Sequence, residues 1–158
     1  MTGNESPDRS TPPARVVRVE RVIPADTATI FDVLADPRQH PDIDGSGSVR
    51  NTSGAAPERL ALGSRFGMSM KLGVPYVIRN EVVEFEEGRR IAWRHYGHHV
   101  WRYTLEPVPG GTRVTEEFDW RSSRAPWVLE LVKAPEKNTV AMERTLERLE
   151  DHVAPPGT

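Results

Sequence analysis

Three polar residues stand on strand faces that are otherwise apolar in this 158-residue sequence: Asn80, His95 and Glu116. In a mostly aromatic and aliphatic pocket, a few placed polar groups fix the orientation of a ligand. A carboxylate desolvated there has a raised pKa suited to moving protons, and an imidazole near its ordinary pKa can serve as its partner. Each residue also has a plainer reading. His95 lies two residues before Gly97 and can sit at a solvated hairpin rim, and Asn80 can satisfy the backbone of a bulge. A one-residue slip of register would exchange Glu116 for Thr115 and Glu117 and turn it to water.

A second constellation, His40-Pro41-Asp42-Ile43-Asp44-Gly45, puts one imidazole and two carboxylates within five residues. Such spacing can hold a divalent ion or place polar groups at a cavity mouth. Turn chemistry accounts for it more simply, because Asp before Gly favours a turn and two carboxylates in a loop are a poor site without further ligands. The small residues that follow suggest a loop able to move as a lid. Bulk is concentrated elsewhere: ten of the eleven Phe, Trp and Tyr residues lie between Phe66 and Trp127, and only Phe31 lies outside. Trp93, Trp101, Tyr103, Phe118 and Trp120 either fill a core or line a cavity for a flat or greasy ligand, with Met68, Met70 and Met142 as adaptable wall. His98 and His99, at a hairpin tip, are expected to be solvated.

The elements that position these residues follow from hydrophobic period and turn signals. Val16, Val17, Val19, Val22 and Ile23, stopped by Pro24, form a first strand. Asp26 or Thr27 caps a short helix with Ile30, Phe31 and Leu34 inward, ended by Pro37, and a short turn over 37–41 follows. After the linker SGAAPERLALG, turn signals at Gly73, Gly88, Gly97 and Pro107–Gly111 cut the middle into strands near 64–72, 75–86, 90–96, 99–106 and 112–120, an antiparallel meander. Alternation puts Ile91 and Trp93 with His95, Trp101 and Tyr103 with Leu105, and Val114, Phe118 and Trp120 with Glu116. In 75–86 the pattern is mixed, since Tyr76, Ile78 and Val82 lie with Asn80 while Val77, Val83 and Phe85 lie opposite, so a bulge is expected there. Thr139, Met142, Leu146, Leu149 and Val153 form one stripe of a closing amphipathic helix over about 136–153, preceded by a short helix near 126–133. Polar, proline-bearing tails are expected at 1–14 and 154–158, around one domain over 15–153.

Composition narrows the function classes. Hydrophobic residues make up 37% and charged residues 28%, which is globular. The absence of cysteine removes disulfides, thiolate catalysis and cysteine-held metal centres. A net charge of −2 without a basic stripe gives no footprint for nucleic acid. No apolar stretch approaches the roughly 20 residues of a membrane span, and residues 1–13 lack a signal-type apolar core, so a cytoplasmic location without stable membrane insertion is expected. No HExxH, GxxxxGK[S/T], GxSxG or GxGxxG motif occurs, and neither a metal nor another cofactor is expected.

The run VERVIPADTATIFDVLADPRQHP, then DIDGSG, YVIRNEVVEFEEGRRIAWRH and WRYTLEPVPGGTRVTEEFD before a long last helix resembles the START-like, helix-grip (SRPBCC) superfamily, in its polyketide cyclase/dehydrase and lipid transport branch. The resemblance covers about residues 15–153 and implies an α+β fold. In it a curved seven-stranded antiparallel sheet wraps a long C-terminal helix, with two short helices after the first strand and a deep apolar cavity between sheet and helix. It implies a small hydrophobic ligand, lipid- or polyketide-like, in a monomer or homodimer. The expected ligand-binding residues on the strands are Met68, Met70, Tyr76, Ile78, Asn80 and Trp93, with Trp101, Phe118 and Trp120 beyond them. Met142 and Leu146 complete the set from the helix. The alternative is a polyketide cyclase or dehydrase, whose chemistry needs a base, an enolate-stabilising donor and an acid; Glu116, His95 and Tyr103 can fill those roles. A third reading is an interaction module with a collapsed cavity.

Overall fold

A computed structural model describes residues 13–53 and 56–154, so the tails expected at 1–14 and 154–158 fall almost wholly outside the described residues. The β-branched opening run forms β1 (Val16–Ile23) and is followed by α1 (Thr27–Leu34), whose N-cap Asp26 accepts the amide hydrogen of Thr29 at 2.8 Å. Two short turns of helix come next, a 3₁₀ turn at Pro37–Gln39 and α2 (His40–Ile43). The meander is β3 (Arg65–Leu72), β4 (Val74–Glu86), β5 (Arg90–His95), β6 (Val100–Val108) and β7 (Gly111–Asp119). Then come α3 (Pro126–Leu131) and α4 (Ala134–Val153). Lys133, in the left-handed conformation at φ 57°, turns the chain between the two helices, and Pro135 fits the first turn of α4, where its missing N–H costs nothing.

With β2 (Val49–Ser53) at one edge, the strands form one antiparallel sheet in the order β1-β7-β6-β5-β4-β3-β2, an α+β helix-grip architecture with α4 against its inner face. Two features were not placed by residue pattern. β2 (Val49–Ser53), the edge strand beyond β3, is too short and polar to signal itself. The bulge of β4 lies at Val83, where the register to β5 shifts between Val82 and Glu84. It keeps Asn80 and Val82 inward and then turns Phe85 inward too, to meet Phe31 edge-on at 5.6 Å.

The two faces of the sheet differ in kind. On the outer face Arg18 pairs with Glu117 at 3.0 Å, and Arg102 reaches Glu84 at 2.6 Å and Glu117 at 3.6 Å. On the inner face Ile23, Ile91, Leu105, Val114 and Phe118 are buried with Leu146 and Leu149 of α4.

The start of the loop after α2, the segment considered as a lid, is held against α4. Gly45 donates its N–H to Thr145 Oγ1 at 2.9 Å, and Arg148 donates to the Asp44 carbonyl at 2.9 Å. A Cβ at residue 45 would stand 2.2 Å from the Ala141 carbonyl oxygen and 2.5 Å from the Thr145 nitrogen, both backbone atoms. Gly45→Ala is therefore expected to destabilise the fold by about 1–3 kcal/mol through overpacking. An unchanged urea midpoint for that variant would show that the loop does not bear on α4.

Candidate functional site

Where the inner face of β3, β4 and β5 extends past α4, the wall does not close, and a cavity of about 290 Å³ remains. Its strand wall carries Met68, Met70, Tyr76, Ile78, Asn80 and Trp93, with Trp101 and Tyr103 from β6. Met142 faces it from α4. Phe118, Trp120 and Leu146 do not reach it. Phe118 is fully buried between Trp101, at 4.8 Å, and Trp120, at 5.3 Å, on the side where α4 packs directly on the sheet. The Trp120 indole instead donates to Glu130 at 3.0 Å, which ties α3 to the end of β7.

Glu116 points inward and is 3% exposed, so the strand register puts the right member of the Thr115-Glu116-Glu117 run inside. It faces Tyr103 directly across β6 and β7, and the Tyr103 hydroxyl donates to its Oε1 at 2.8 Å. Its Oε2 is buried with no hydrogen-bond partner among the described residues. Burial raises the Glu116 pKa to about 8, opposed by the Tyr103 hydrogen bond and assisted by the negative charge of Asp44. Burial and the Glu116 carboxyl together push the Tyr103 hydroxyl well above its usual value. At neutral pH the pair is a protonated acid and a neutral phenol.

His95 is brought to the same cavity but not to Glu116. It pairs across the strands with Asn80, two rows along the sheet from the Tyr103–Glu116 row, and its ring lies 4.6 Å from that of His99. Desolvation, with a smaller effect of His99, lowers the His95 pKa to about 3. A group so weakly basic takes up a proton poorly at neutral pH, so the base role weighed for it loses its physical support. Asn80 is 5% exposed and its Oδ1, like Glu116 Oε2, has no hydrogen-bond partner among the described residues.

Two histidines enter the wall that the site expectations did not include. His99 was expected to be solvated; instead it lines the cavity, 5.4 Å from the Phe118 ring, and desolvation lowers its pKa to about 4. The reason is local: His98 takes the left-handed turn conformation at φ 70°, and His99 then shares the inward parity of Trp101. That parity was readable from the sequence. His40, from the acidic loop motif, stacks on Trp93 at 4.9 Å and bonds the Leu34 carbonyl through Nε2 at 2.8 Å. Burial lowers its pKa. Asp44 spends its carboxylate on Ser46 and the Val49 amide, which is turn chemistry, and the described residues hold no group of three or more metal-ligating side chains.

A second depression, about 550 Å³ and open, lies on the outer face around Gly67 with Arg65, Arg79, Arg94 and Arg124 at its rim. It is larger and more polar, it shares Phe66, Asn80 and His95 with the inner cavity, and Glu116 does not line it.

A curved antiparallel sheet gripping its last helix, with a cavity left between them, defines a helix-grip protein. Residues 14–154 match the family described as polyketide cyclase/dehydrase and lipid transport, and the chain belongs to that family. It is 38% identical over 149 residues to the uncharacterized protein Rv0088 of Mycobacterium tuberculosis, covering 90% of this chain and 65% of that protein. The chain thus spans about 65% of the length of this curated relative. Among solved structures it resembles protein NE0264 from Nitrosomonas europaea, with TM-score 0.69, 14% identity and coverage of 89% and 95% of the two chains. It also resembles major latex-like protein 151 from Panax ginseng, with TM-score 0.69, 15% identity and coverage of 89% and 97%. At these identities the likeness is one of fold. No helix among the described residues is long and apolar enough to cross a membrane.

The burial of Glu116 has a signature in stability. Its pKa is about 8 folded against 4.5 for the ordinary group, so between those values the folded state holds a proton that the unfolded state has lost. Its contribution is full below pH 4.5, declines as pH rises and levels off past about pH 8. His95 runs the other way, adding stability as pH rises from about 3 to 6.5. Above about pH 7.5 the unfolded-state protons of His40, His95 and His99, whose folded values are lowered, are largely gone and Glu116 dominates, so from there to above pH 8 stability is expected to fall by at most about 1.4 kcal/mol per unit. Glu116→Gln should flatten that slope in urea denaturation; a wild-type profile already flat there would show Glu116 ionised in the fold.

Proposed function

We propose that this protein binds a small, largely apolar, ring-containing molecule in the cavity between the sheet and α4. The observation that carries this reading is the pair of buried oxygens without a partner among the described residues, Asn80 Oδ1 and Glu116 Oε2, set among the aromatic and methionine side chains of the cavity wall. Leaving a buried polar atom without a hydrogen bond costs about 1–3 kcal/mol, and native proteins keep few of them. A ligand that completes both bonds removes that cost. At about 290 Å³ the space suits a compact fused-ring or short-chain molecule, at the small end of ligand pockets. With Trp93, Phe66, Met68 and Met70 in its lining, the cavity offers a flat ligand polarizable contact.

A cyclase- or dehydrase-type reaction is the second reading, favoured by one feature. The Tyr103–Glu116 hydrogen bond lies at the cavity wall and couples an acid of pKa about 8 to a phenol. An acid with that pKa is well matched to giving a proton at neutral pH. The membership of the chain in the polyketide cyclase/dehydrase and lipid transport family is compatible with either reading.

Binding is tested by filling the cavity. Ile78, partly exposed on the strand wall, tolerates a larger side chain better than a fully buried neighbour. Titration with the neutral dye Nile red, followed by its own emission and by quenching of Trp93 and Trp101, is expected to saturate. Ile78→Trp should weaken binding about tenfold or more while melting within a few degrees of the parent. Equal affinity in the two proteins would place the dye elsewhere and remove the support for this cavity.

A further inference from the structure

The charge and hydrogen-bonding capacity of the wall restrict the ligand further, on the footing that the inner cavity is the binding site. None of the described residues lining it is lysine or arginine, and desolvation lowers the pKa of the three histidines in the wall, His40, His95 and His99, so no cation is in place at neutral pH to balance an anion. The titratable groups that face Glu116 are Tyr103 on β6 and Asp44 in the loop after α2; its β1 neighbour is Val19, and α4 lines the cavity with Asn138, Ala141, Met142 and Thr145, all uncharged. A second negative charge placed here would meet Asp44 and desolvation with no compensation.

The hydrogen bond of Tyr103 fixes which oxygen of Glu116 does what. Oε1 accepts the phenol hydrogen, so in the neutral acid Oε1 is the carbonyl oxygen and the acid hydrogen resides on Oε2. Oε2 is the atom left buried without a partner. Its unspent capacity is therefore that of a donor.

We infer that the site selects an uncharged ligand presenting a ketone or aldehyde oxygen to Glu116 Oε2–H, and that it rejects carboxylates such as free fatty acids. The Tyr103 hydroxyl, by donating to Oε1, polarises the acid and holds it in place for this bond. The carbonyl oxygen accepts, and Asp44, the other carboxylate in the lining, has its oxygens engaged by Ser46 and the Val49 amide.

The experiment compares four probes of one shape: fluorenone, fluorene, fluorene-2-carboxylate and the ammonium of 9-(aminomethyl)fluorene, titrated calorimetrically at pH 6.5 and again at pH 9.5. At pH 6.5 fluorenone is expected to bind about tenfold more tightly than fluorene, the gain of one desolvated hydrogen bond, and the carboxylate more weakly than either. At pH 9.5, with Glu116 ionised and its donor gone, the fluorenone preference should disappear. Glu116→Gln keeps an N–H donor beside the Tyr103-bonded oxygen, so it should retain the preference and hold it at both pH values. Glu116→Leu should abolish it while leaving fluorene bound. A purely structural role for Glu116 would instead move all four probes together.

Fluorene bound in an Ile78→Trp-sensitive way but without a ketone preference would overturn this inference and leave the cavity reading standing. Failure of every probe to show Ile78→Trp-sensitive binding would defeat the cavity reading itself. Tightest binding by the ammonium would also overturn the inference, which calls for an uncharged ligand.

Discussion

The way α4 lies on the sheet governs everything else in the molecule. α4 packs chiefly on β1 and β7, at one end of the strand order, and α2 with its loop packs on α4. Close approach at Gly45, where no side chain fits, fixes that loop against the helix backbone. The helix therefore fills the basket on one side and leaves the inner faces of β3, β4 and β5 facing open space. Phe118, Trp120 and Leu146 became core because they lie on the filled side, and Trp93, Met68 and Asn80 became cavity wall because they lie on the other. Residue type alone does not separate the two groups; position relative to one helix does.

Glu116 sits at the border between these regions, and its chemistry comes from that location. A carboxylate this far from water would be costly to ionise, and the structure gives it a phenol instead of a cation as its partner. A guanidinium would have held it charged and spent both oxygens. A single phenol leaves one oxygen over and leaves the proton in place. For stability alone an apolar side chain of similar volume would serve as well as, or better than, a buried acid with one oxygen unpaired.

Much of the fold was legible because period and punctuation agree along the chain. The β-branched run became β1, the capped stripe became α1, and the three-four spacing of Met142, Leu146 and Leu149 became the buried face of α4. Parity placed Asn80, His95, Tyr103 and Glu116 on one face correctly. What parity could not give was distance. It did not say that Tyr103 and Glu116 are cross-strand neighbours while His95 is two rows away, because that depends on register across three strands. His40 was hidden for another reason: a loop histidine carries no periodic signal, and only tertiary packing brings it onto Trp93.

Register is also what separates two adjacent glutamates with opposite surroundings. Glu117 faces outward and is held by Arg18 at 3.0 Å and by Arg102 at 3.6 Å, in a row that continues through Arg102 to Glu84 on β4. Glu116, one residue earlier, faces inward to Tyr103. A slip of β7 by one residue would bury Glu117 without an arginine and expose Glu116, breaking the outer row and the inner pair at once. Partly exposed ion pairs contribute little to stability individually, yet here each is tied to a particular strand alignment. The charged row on the outside therefore acts as a register lock, and what it locks is the single acidic hydrogen on the inside. The chemistry of the cavity is thus guarded from the opposite face of the sheet, by residues that never touch a ligand.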